Sequence, residues 1–126
     1  MSELFRNDTA TKALSLPEAA SASLGASGID WQPCGVEGFR IKPLLEDAVS
    51  GLRTWLMQVD AGAFSESHAH TDVEQIYVLE GSFYDDEKTY GAGDFIVRAP
   101  GAMHTAGSET GALVLLCYAP PSGEPG

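Results

Sequence analysis

From residue 30 onward, turn residues recur too often for any long helix. Gly62, Gly81, Asp85-Asp86, Gly91-Ala92-Gly93-Asp94, Pro100-Gly101 and the stretch from Ser108 to Gly111 fall at short intervals. Gly supplies positive φ, Pro fixes φ, and Asp and Ser bond back to nearby backbone, so each favours a turn for its own reason. No 3.6-residue apolar period survives between these breaks. The intervening runs predict strands over 39–44, 52–59, 64–70, 75–79, 82–85, 95–98, 104–106 and 112–118. Many short strands with regular turn signals build a sandwich or barrel, not an alternating βαβ fold. At 126 residues the chain has the length of one domain. Such a length buries about two-thirds of its unfolded surface, enough for one core without staples.

The ends differ from the middle. Residues 1–28 are rich in Ala, Ser and Thr and predict an N-terminal arm. Within it, Ser15-Leu16-Pro17-Glu18 has the pattern of a capping box, which predicts a short helix ending at Gly25. Residues 29–119 are expected to form the barrel. The run Pro120-Pro121-Ser122-Gly123-Glu124-Pro125-Gly126 cannot continue a ladder, so 120–126 is expected to be a disordered tail.

Charge excludes whole classes of partner. Lys and Arg total 7 against 18 Asp and Glu, a formal net charge of −11. Phosphate backbones and anionic lipid surfaces both need clustered Lys and Arg, and these basic residues form no run. The first residues lack the charged and apolar regions of a signal peptide, and no apolar stretch reaches the ~18 residues of a spanning helix. With only 2 cysteines, Cys34 and Cys117, a disulfide framework is not expected. The expected location is the cytoplasm, with both cysteines as thiols.

Chemistry concentrates in the 3 histidines, His68, His70 and His104. His68 and His70 stand at i and i+2, on one face of a strand, where two imidazoles can converge on one ion. Glu74 follows four residues later and opens the next strand. Two His and a carboxylate from adjoining strand ends can cap one face of a metal ion and leave other positions open. His104 lies thirty residues on, and a barrel can fold that strand back over the first pair. By strand parity, Phe64 and Glu66 share the face of His68 and His70, while Ile76 and Val78 share that of Glu74. Glu66 is a candidate general base, and Tyr77 and Arg98 are candidates for binding a substrate oxygen. No Gly-x-Ser-x-Gly elbow supports a serine hydrolase.

The spacing Gly62, His68, His70, Glu74, Gly81 resembles the first motif of the cupins throughout. Gly93-Asp94 through Pro100-Gly101-Ala102-Met103-His104 resembles the second. Two departures occur: the second motif's Pro would fall on Ala99 and is displaced to Pro100, and its Asn would fall on Ser108. The stretch Tyr77-Val78-Leu79-Glu80-Gly81-Ser82-Phe83-Tyr84-Asp85-Asp86 is most similar to ChrR-type anti-sigma-factor cupins and their dioxygenase relatives. The resemblance covers about 31–118. It implies a small jelly roll, or double-stranded β-helix, holding one divalent transition metal ion per chain. It makes His68, His70, Glu74 and His104 the four ligands. Imidazole and carboxylate suit Fe, Zn, Mn, Ni or Cu alike. Ligand imidazoles must be neutral, so ordinary histidines would release the ion as pH falls through their titration range.

The first expectation for function is a metal-dependent oxygenase acting on a small carbonyl or phenolic compound. The alternative is a non-catalytic sensing or regulatory module of ChrR-like type. Residues 1–28 contain no His or Cys, so the zinc-binding helical half of such a regulator is not expected among them and a partner is expected to act in trans. An isomerase or lyase using the same ion is a third reading. Runs 52–59 and 112–118 carry apolar residues on both parities, which predicts a homodimer covering the second face.

Overall fold

The computed structural model describes Phe5 and residues 13–121, and its fold is the expected all-β jelly roll. Its strands are β1 (Gln32–Pro33), β2 (Phe39–Glu46), β3 (Arg53–Val59), β4 (Phe64–His68), β5 (Val73–Tyr84), β6 (Thr89–Gly91), β7 (Phe95–Arg98), β8 (His104–Gly107) and β9 (Ala112–Ala119). They form one curled sheet in the order β1-β2-β3-β9-β5-β8-β4, and β6 and β7 also pair with β5. All of these strand pairs are antiparallel. None of the helical turns among the described residues is long or apolar enough to cross a membrane.

Strand β5 joins the two layers of the roll. Its first part pairs with β9 and β7, and its last residues pair with β6 and β8. The sequence pattern predicts two strands separated by a turn at Gly81. Instead the strand is continuous, and Gly81 is its bend. The register against β9 shifts between Val78 and Glu80. Gly81 has φ 78, and a Cβ there would lie 1.9 Å from the Gly111 carbonyl oxygen. Only a residue without Cβ lets the two backbones approach so closely.

Alternation along the strands builds the core. Phe39 and Ile41, Trp55, Met57 and Val59, Ile76 and Val78, and Val114, Leu116 and Tyr118 all turn inward and are buried. A polar row crosses the same inner face near one mouth. Glu46, Arg53, Tyr118, Glu74 and Arg98 are successive register partners across β2, β3, β9, β5 and β7. On the outer face, Leu56, Leu115, Tyr77 and Phe95 form a corresponding apolar row.

The expected helix over residues 15–25 is absent. The chain there is extended or bent, and the first helical turn is a 3₁₀ turn at Ala26–Gly28. The edge of β2 supplies the reason. The Leu14 N–H donates to Leu44 O at 2.9 Å and the Glu46 N–H donates to Leu14 O at 2.8 Å, while Asp47 accepts the Leu16 N–H. A helix beginning at Ser15 would forfeit these bonds. The arm's remaining residues, 1–4 and 6–12, and residues 122–126 of the expected tail lie outside the described residues. Cys34 lies in a loop as expected, between β1 and β2, but it is buried there, and its thiol donates to Phe39 O at 3.4 Å.

Candidate metal centre

Three elements bring the histidines together. His68 ends β4, His70 follows it in the loop, and His104 opens β8 directly opposite His68 in the antiparallel register. One ring nitrogen from each lies within 4.8 Å of the others, and all three side chains are buried. Glu74, near the start of β5, places its carboxylate oxygens 3.6 Å from His104 Nε2 and 3.8 Å from His70 Nε2.

Backbone carbonyls fix which ring nitrogen faces the centre. His68 Nδ1 donates to Glu66 O at 2.8 Å, and His104 Nδ1 donates to Thr105 O at 3.1 Å. A proton held on Nδ1 leaves Nε2 with its lone pair, the form in which imidazole binds a metal. His104 Nε2 is buried and makes no hydrogen bond among the described residues. A buried polar atom without a partner is costly, and an ion among these nitrogens would satisfy it. The donor set therefore fits a divalent transition metal.

Burial also sets the charge state. Desolvation, then His68 and Arg53, lowers the His70 pKa to about 4. Desolvation, then Arg98, lowers that of His104 to about 4. Both rings are neutral at pH 7. Burial pushes the Glu74 carboxyl above its ordinary range, partly countered by the Tyr118 hydroxyl and by Arg98.

The remaining predicted residues divide. Arg98 reaches the centre, with Nε 3.3 Å from Glu74 Oε1. Glu66 and Tyr77 do not, because both side chains are exposed. The parity argument fails for β4 because its register shifts between Ser65 and His68. That bulge puts Ser65 inside with His68 and turns Phe64 and Glu66 out. Ile76 and Val78 do share the inner face of Glu74.

Two neighbours of the centre escaped the sequence reading. Tyr118 was legible in principle, since it continues the inward alternation of 112, 114 and 116. Phe5 carried little signal, because the short apolar pair Leu4-Phe5 stands apart from any strand pattern of the barrel. It is only 4% exposed, and its ring centroid lies 5.0 Å from that of His68 and 5.1 Å from that of Phe39. The space left beside the imidazoles is about 10 Å³, walled by Phe5, Met57, Ile76, Phe83 and Leu116. That is room for about one water molecule.

The profile of the ChrR cupin-like domain matches residues 20–121. No curated protein matches the chain. Among solved structures the chain is similar to an RmlC-like cupin from Shewanella frigidimarina, with 23% identity over 82% of this chain and 95% of that one, at a TM-score of 0.71. It is similar to the Rhodobacter sphaeroides structure of SigE in complex with the anti-sigma ChrR, with 25% identity over 71% of this chain and 49% of that one, at a TM-score of 0.63. It is also similar in fold to a candidate acetylacetone dioxygenase from Methylibium petroleiphilum, with 16% identity over 82% of this chain and 79% of that one, at a TM-score of 0.73.

Proposed function

This chain belongs to the ChrR cupin-like domain family, and on that basis we propose that its barrel binds one divalent transition metal ion through His68, His70, His104 and Glu74. The observation that carries this reading is the buried convergence of three imidazole nitrogens within 4.8 Å. Fe, Zn, Mn, Ni and Cu all suit such donors. A bound ion supplies Lewis acidity and, where the metal is redox-active, electron transfer. The residues supply neutral imidazoles, a carboxylate and a largely apolar wall.

The small space beside the imidazoles favours a sensing or regulatory module over an oxygenase. With Phe5 over the imidazoles, the remaining 10 Å³ is too small for a carbonyl or phenolic substrate unless the side chains around it move. Similarity to ChrR, seen with SigE, supports the same choice and a protein partner acting in trans. The oxygenase remains the second reading, because the wall of Met57, Ile76, Phe83 and Leu116 beside polar groups suits a small organic ligand once Phe5 withdraws. We place the protein in the cytoplasm, as a homodimer joined through the outer row of Leu56, Leu115, Tyr77 and Phe95.

Metal analysis of protein purified without chelator tests the centre. Close to one ion per chain is expected, and His68→Ala, His70→Ala and His104→Ala should each lower occupancy sharply. Full occupancy in two of the three overturns the ligand assignment. An oxygen-electrode screen of the Fe, Mn, Ni, Cu and Zn forms with a β-diketone and a catechol separates the two activities. The regulatory reading expects no uptake by wild type. Sustained uptake establishes the oxygenase in its place.

A further inference from the structure

Arg98 is the only basic side chain that the register sets directly opposite Glu74 among the described strands. It bridges two carboxylates. Its Nε forms an ion pair with Glu74 Oε1 at 3.3 Å without hydrogen-bond geometry, and its Nη1 donates to Asp85 Oδ2 at 3.0 Å. Glu74 and Asp85 are both buried, and Arg98 is largely so.

Asp85 is itself held from several sides. Its Oδ1 accepts the backbone N–H of Glu87 at 2.8 Å and that of Lys88 at 3.1 Å. Its Oδ2 accepts the Tyr90 hydroxyl at 3.0 Å in addition to Arg98. The turn between β5 and β6 therefore fixes Asp85, Asp85 fixes one arm of the guanidinium, and the guanidinium meets Glu74. A guanidinium is planar and presents its donors as a rigid fork, so anchoring one side sets the direction of the other. The sequence pattern assigns Asp85 only a turn role and Arg98 a substrate oxygen.

We propose that Arg98 and Asp85 are positioning residues of the metal centre: Arg98 orients the Glu74 carboxylate toward the imidazoles, and Asp85 aims Arg98. This rests on the reading of Glu74 as a metal ligand. Partners that orient a ligand from outside the coordination sphere are typically worth about 10- to 100-fold in metal affinity.

The test measures Co(II) and Zn(II) affinity by competition with a chromophoric chelator in wild type, Arg98→Lys, Asp85→Asn, Glu74→Gln and the Glu74→Gln/Arg98→Lys double variant. The visible spectrum of each Co(II) form is recorded alongside. Lys keeps the charge but loses the fork. Arg98→Lys and Asp85→Asn should each weaken binding by about 10- to 100-fold and shift the Co(II) bands. Within the Glu74→Gln background, Arg98→Lys should cause no further loss, since its effect passes through that carboxylate. Thermal unfolding of the metal-free proteins confirms that each variant folds. A purely structural role would lower that midpoint and leave the Co(II) spectrum unchanged. Wild-type affinity and spectrum in both Arg98→Lys and Asp85→Asn overturn the proposal while Glu74→Gln still loses metal. An equal loss from Arg98→Lys in both backgrounds overturns it too. If Glu74→Gln binds as wild type, the ligand reading fails first, and the proposal falls with it.

Discussion

At the residue scale, the histidines are set by the barrel around them. In an unfolded chain His70 and His104 titrate near 6.5, but in the folded protein burial holds both near 4. Between those values the unfolded state binds protons that the folded state refuses. Their contribution to stability is therefore fully present above about 6.5 and is lost as pH falls toward 4. Glu74 acts with the opposite sign, because burial raises its pKa and its contribution declines as pH rises. Thermal unfolding of metal-free protein from pH 8 to pH 4 should show a midpoint that drops steadily below about 6.5. His104→Gln should flatten that slope. A flat wild-type profile would contradict the burial of these rings. The same burial bears on proton competition for a bound ion at His70 and His104. At these two rings that competition is expected to set in below the ordinary histidine range.

At the element scale, β5 carries most of the architecture, and Gly81 lets it serve both layers. Gly81→Ala forces a Cβ to within 1.9 Å of the Gly111 carbonyl oxygen and keeps a positive φ. A loss of roughly 2–4 kcal/mol is expected from urea unfolding, since backbone must shift. Gly62 has φ 87, but a Cβ there would meet nothing within 4 Å. Gly62→Ala should then cost only about 1–2 kcal/mol, the strain of a left-handed residue. Equal losses at the two sites would refute the close-approach account. Strand positions were largely legible, because short apolar runs such as 112–118 and 95–98 are bounded by turn residues. Two irregularities were not. The β4 bulge reversed the faces of Phe64 and Glu66, and the bend at Gly81 looked like a turn. Both depend on what the neighbouring strand offers, which a local pattern does not record.

At the scale of the whole molecule, the outer sheet face remains to be covered. Tyr77 is 42% exposed, Phe95 56% and Val97 62%, and Leu56 and Leu115 continue the row inward across the sheet. A chain with net charge −11 repels its own copies, so self-association has to use such an uncharged surface. Sedimentation velocity should find a dimer in wild type. Tyr77→Glu or Phe95→Glu should convert it to monomer with metal content unchanged. A wild type that stays monomeric across the concentration range would rule out the homodimer.

The order of residues along the chain was enough to set the class of fold and to single out the three histidines that the barrel brings together. Turn spacing left no room for a long helix after residue 30, and the His-x-His and Glu74 pattern lies within one short stretch that joins β4 to β5. What surrounds those residues was decided by long-range contacts. Arg98 meets Glu74 only because β7 pairs with β5 in one register, and Tyr118 joins them only because β9 lies on the other side. Phe5 reaches the imidazoles from an arm distant in sequence. Side-chain parity is a local property of a strand. Strand neighbours and the plugging of a cavity depend on contacts between segments far apart in the chain, and single-strand periodicity does not encode them.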